Sequence, residues 1–139
     1  MQLSKQMQQV LTEEIGFAVG KMKGSQDAAT KLYFFSAVPA AANRIMNIEF
    51  DSELSFIHYV LSAAYGTVSA RLAMLASGQE RGMGIPEKLF DRLEEALMQM
   101  VVEIHRGEST HQVLETISNL AYSATGNGYY LYLKGVLPI

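Results

Sequence analysis

The sequence predicts an all-α protein of about five helices in a compact antiparallel bundle or array, with a proline kink in the second helix. Three observations carry that prediction. Apolar residues recur at spacings of three and four along nearly the whole chain, which marks one buried face per helix. Capping residues, glycines and prolines interrupt the pattern where helices should start and stop. Only Tyr129 to Leu133 has the composition of a strand, and no second strand exists to pair with it. A chain of 139 residues suits a single helical domain over 1–139, large enough for one core and too small for two.

In the first segment Leu3, Met7, Leu11, Ile15, Ala18 and Met22 trace one helical face. Lys21 and Lys23 suit the negative end of its dipole, and Gly24 supplies a stop. Ser25 or Asp27 caps the second segment, in which Pro39 removes a backbone donor and crowds the preceding turn. A kink or break is expected there, with the helix resuming to about Asn47. Asp51 or Ser52 caps a third helix running to about Ser77. The stretch from Gly78 to Gly84 holds three glycines and reads as a loop. Pro86 opens the fourth helix, Leu89, Leu93, Leu97, Met100 and Ile104 mark its buried face, and Gly107 ends it. Ser109 and Gln112 form a capping box for the fifth, in which Val113, Ile117, Leu120, Ala121 and Ala124 keep the period. Residues 126–139 admit either a resumed helix or an irregular tail.

Composition narrows the function. Hydrophobic residues make up 49% and charged residues only 18% of the chain, against roughly 25% charged in ordinary soluble domains. The formal net charge is −3 and the eleven basic residues are scattered, so the clustered footprint of a nucleic-acid binder is missing. The absence of cysteine rules out disulfides, thiolate metal sites and a cysteine nucleophile. The first residues lack the apolar core of a signal peptide, and a cytoplasmic location is expected. The run from Phe56 to Ala76 contains only His58 and Arg71 as ionisable groups, but it is sided and carries serines, so no membrane span is expected.

The third segment holds the richest chemistry. At about 100° per residue, Asp51, Ser55, His58, Ser62, Tyr65 and Ser69 fall on one stripe. The stripe is either the solvent face of an amphipathic helix or the polar wall of a ligand pocket, with His58, Ser62 and Tyr65 at its centre. Arg71 projects from the apolar side. Its guanidinium must snorkel to water, meet a carboxylate such as Glu13, Glu14, Glu94 or Glu103, or hold an anionic ligand. Ser62, Gly66, Ala70 and Ala73 form a small-residue face on which a neighbouring helix should pack closely. Glu108 and His111 have the Glu-x-x-His spacing of di-iron bundles, but such a site needs a second copy of the motif, so surface capping is the better account. No cofactor is expected.

With no catalytic constellation in view, the sequence favours a non-enzymatic interaction or oligomerisation protein. The alternative is a domain binding a small ligand or metal through the polar stripe, with enzymatic activity left open. High apolar content and low charge point to a homodimer, with Tyr129, Tyr130 and Tyr132 in its interface and a further protein partner allowed. Arg71→Ala should lower stability by about 1–2 kcal/mol, and Arg71→Met by less, because methionine restores the packed stem. Thermal melts of the two variants check this; equal losses would place a buried carboxylate opposite Arg71.

Overall fold

Several helices of this protein begin where a side chain accepts one of their free amides. The computed structural model describes residues 1–78, 85, 86 and 88–125. Within them the chain forms α1 (Lys5–Lys23), α2 (Ala28–Phe35), α3 (Ala37–Met46), α4 (Ser52–Ala76), α5 (Leu89–Arg106) and α6 (His111–Thr125). The Ser4 hydroxyl accepts the Met7 amide at 3.2 Å, and carboxylates of Asp27 and Asp51 accept the amides of Thr30 and Leu54 at 3.0 and 2.9 Å. Gly107 closes α5 at φ 68°, a left-handed conformation that favours glycine.

The five predicted segments are therefore present, with the second divided into α2 and α3. The division at Ser36 lies three residues before Pro39. Proline has no amide hydrogen to donate to the carbonyl of Phe35, four residues earlier, so the α-helical ladder is broken at that turn. Two boundaries differ from expectation. α5 begins at Leu89, whose amide donates to the Pro86 carbonyl at 3.0 Å in a turn that precedes the helix. α6 begins at His111, so Ser109 stands outside it and accepts the His111 amide at 3.2 Å. Its true anchor is distant: the amide and hydroxyl of Thr110 donate to Glu53 Oε2 at 3.0 and 2.7 Å.

One cluster of buried apolar side chains draws on all six helices. Leu11, Ile15, Leu61, Leu97, Leu114 and Ile117 are completely buried, each worth roughly 1.5–3 kcal/mol relative to exposure. α1 packs on α2, α3 and α5, and α4 lies between α3 and α6. Contacts at the helix ends give the directions. Thr110 meets Glu53 and His111 stacks on Phe56, so α4 and α6 start at the same end. Lys5 and His105 line one groove while Met22 and Glu94 share Lys31, so α1 and α5 run oppositely. No described helix is long and apolar enough to cross a membrane.

The end where α1, α4 and α6 begin is tied by three alternate carboxylates. Glu49 accepts the amide and hydroxyl of Ser4 at 2.8 and 2.6 Å. Asp51 accepts the Gln2 amide at 2.7 Å, and the Met1 ammonium lies 3.0 Å from Glu53 Oε1. Burial is the largest single influence on Glu53 and opposes its ionisation. The Thr110 hydroxyl, the Met1 ammonium and the Thr110 amide together outweigh it, holding its pKa below the ordinary 4.5. A lowered folded-state pKa contributes stability that is present above pH 4.5 and lost as pH falls through the folded value. Glu53→Gln should cost about 1–2 kcal/mol at neutral pH and less in acid. Denaturant titrations at several pH values below neutrality measure both.

Candidate functional site

The polar stripe of α4 faces neither open solvent nor a closed pocket. Asp51 is buried, and Ser55, His58, Ser62, Tyr65 and Ser69 are all half-buried. Core contact is made instead by Ile57, Leu61, Ala64 and Val68. The exposed line of the helix runs through Phe56, Tyr59, Gly66, Ala70 and Ala73. A Cβ added at Gly66 would meet nothing within 4 Å, so the close helix packing expected on the small-residue face does not occur there. The reason is rotational: aliphatic positions 57, 61, 64 and 68 outcompete the small ones for the core, turning Gly66 and Ala70 outward.

His58, Ser62 and Tyr65 occupy successive turns of one helix, and none of the three grooves described below is lined by them or by Arg71. Arg71 is half-buried and engaged with a partner. Glu108 stands in the turn between α5 and α6, 3.9 Å from Arg106, whereas His111 begins α6 and stacks on Phe56 with ring centroids 5.1 Å apart. The two are therefore not on one helical face, which the di-iron spacing requires. Among the described residues no group of three His, Asp or Glu side chains is placed to hold a metal. Tyr129, Tyr130 and Tyr132 lie outside the described residues.

Two further clusters were not singled out by spacing. The first is a buried charge pair. Lys31 of α2 donates to the Met22 carbonyl at 2.6 Å and lies 3.9 Å from Glu94 of α5, which is only 3% exposed. Burial pushes the Glu94 pKa upward; Lys31 lowers it in part, Asp91 raises it, and Lys23 lowers it. The second is an apolar surface at the tied end of the bundle. Ile48 is 71% and Phe50 75% exposed, while Phe56 and Tyr59 show 40% and 51% on the first turns of α4. Glu49 and Asp51 bond to the first residues of the chain, while their neighbours Ile48 and Phe50 are exposed. The signal in the sequence is the apolar–acidic alternation of residues 48–51 between two helices.

Three grooves stand out among the described residues. One, about 1200 Å³, runs between α5 and α6 from Lys88 and Arg92 to Glu103 and Gln112. A second continues it past Pro86 toward Ser123 and Ala124. The third lies between α1 and α5 at Lys5, Thr12, Val101 and His105. All three are open troughs.

Because the folded-state pKa of Glu94 is raised, its contribution to stability is present below pH 4.5 and is lost as pH rises through the folded value. Glu94→Gln should therefore match or exceed the parent by about 1 kcal/mol at neutral pH. Lys31→Met, which strands the carboxylate, should cost roughly 2–3 kcal/mol. Paired urea melts of the two variants decide it, and a larger loss in Glu94→Gln than in Lys31→Met would refute the assignment.

No protein-family model, curated protein or solved structure matches this chain.

Proposed function

We propose that the protein is a non-enzymatic helical interaction module that pairs with itself as a homodimer and presents an apolar patch to a second protein. The observation that carries the reading is the outward set Ile48, Phe50, Phe56 and Tyr59. Single exposed apolar residues are ordinary, but four large ones concentrated at one end of a small bundle mark a contact surface. They are also held in place. The inward bonds of Glu49 and Asp51 fix the loop between α3 and α4, so little conformational freedom is lost when a partner covers it. Aromatic side chains on such a base are the usual anchors of an interface. The low charge content supports the same reading.

The double variant Ile48→Lys/Phe50→Lys should fold as the parent does, with stability changed by no more than about 0.5 kcal/mol, because both side chains are largely in water already. Used as bait in an extract of cells that express the protein, it should lose at least about tenfold of whatever the parent retains. Recovery of the same proteins by both baits would exclude this surface as the docking site.

A further inference from the structure

The groove between α5 and α6 carries a pattern that the apolar patch does not share. Arg92, Ala96, Gln99 and Glu103 line its α5 wall at spacings of four, three and four. That spacing reads the same in both directions, and it is the seam spacing of paired helices. Arg92 and Glu103 stand equally far from the point midway between Ala96 and Gln99. Eleven residues at 1.5 Å each put them about 16 Å apart on one face.

The chemistry of the stripe reverses with its direction. One end carries the cations Arg92 and, a turn beyond it, Lys88, with the carboxylates of Asp91 and Glu95 beside them; the other is anionic, with Glu103 on the α5 wall and Glu115 on the α6 wall. Among the described residues Lys88 and Arg92 make no ion pair. Glu103 is only 8% exposed, its Oε1 takes one long bond of 3.4 Å from the Gln99 amide group, and its buried Oε2 accepts none. An unsatisfied carboxylate oxygen at that depth is costly, and a cationic donor relieves it.

We infer that a second copy of this chain brings a cation to the Glu103 carboxylate, at the oxygen Oε1 that the exposed Gln99 side chain now covers: two α5 helices pack antiparallel about a two-fold axis between Ala96 and Gln99, setting Arg92 of each against Glu103 of the other. This rests on the self-pairing proposed above and adds the face that mediates it. Ala96 at the axis lets the helices approach, and it sits opposite Gln99 of the other copy, whose side chain is exposed and free to move off Glu103. A two-fold contact uses the same residues twice, so one complementary pair becomes two. The contact is charged, so association weakens as salt rises.

Sedimentation of the full chain tests the face. The parent should be dimeric at tens of micromolar, and Arg92→Glu, an exposed change, should weaken the dimer by more than about thirtyfold by placing two carboxylates together at each end. An equimolar mixture of Arg92→Glu and Glu103→Lys should recover the dimer, since each then meets its opposite. If Glu103→Lys does not fold, Ala96→Cys mixed with Gln99→Cys replaces it. The chain has no native cysteine, so under mild oxidation the mixture should form a disulfide dimer faster than either variant alone. A dimer indifferent to Arg92→Glu overturns this face and leaves the self-pairing intact. A monomeric parent overturns both, while the retention test on Ile48 and Phe50 stands apart from either result.

Discussion

The structure depends on the carboxylate of Glu53. It sits in the first turn of α4, takes the Met1 ammonium on one oxygen, and takes the amide and hydroxyl of Thr110 on the other. Three places in the chain that are remote in sequence thus meet at one side chain. A half-buried carboxylate is stabilised when its lone pairs are filled, and here filling them requires α6 to begin beside α4. α5 must then run the opposite way, because only the short turn through Gly107 joins it to α6. The direction of three helices follows from one satisfied acid.

The same end of the bundle shows how polar anchoring leads to apolar exposure. In an extended stretch successive side chains point to opposite sides. Asp51 has the backbone of such a stretch, at φ −149° and ψ 131°, and it faces the start of the chain together with Glu49 and Glu53. Phe50, which precedes Asp51, points the other way, and Ile48 lies exposed in the turn that ends α3. The bonds of Glu49 and Asp51 to the first residues hold this segment in place. The stability of the fold and the presentation of the patch are thus coupled through Glu49 and Asp51.

Most of the fold was legible in the sequence, because helix periodicity and capping are local. Leu89, Leu93, Leu97, Met100 and Ile104 were assigned to one buried face and are all buried; Asp27, Asp51 and Gly107 end helices as their chemistry dictates. What local reasoning missed is long-range. Ser109 looked like the cap of α6, but the partner that holds α6 lies 57 positions earlier at Glu53. The small-residue face of α4 looked like a packing surface, but helix rotation is set by which side buries the larger aliphatic area. Glu94 and Glu103 were named only as possible partners for Arg71. Their burial is invisible without the packing of α5 against α1 and α6. The site stripe of His58, Ser62 and Tyr65 is half-buried in the fold, and no described contact brings a second element's chemistry to it.

The low charge of the chain gives the acids at its core and helix starts their weight. When charged residues are few, each one placed inside must be compensated by a particular partner rather than by a crowd of counter-charges. Glu53 has the start of the chain and Thr110; Glu94 has Lys31, itself held by the Met22 carbonyl. Glu103 has only the long bond from Gln99 on one oxygen. It stands on the wall of the α5–α6 groove, whose end is placed by the bonds of Glu53 to Thr110 at the start of α6. A preformed trough with one unmet acceptor loses little freedom on accepting a cation. Arg92 stands on the same stripe of the same helix, makes no ion pair among the described residues and, about 16 Å along the axis, lies beyond the reach of its own Glu103; the antiparallel pairing proposed above would bring it to another copy's.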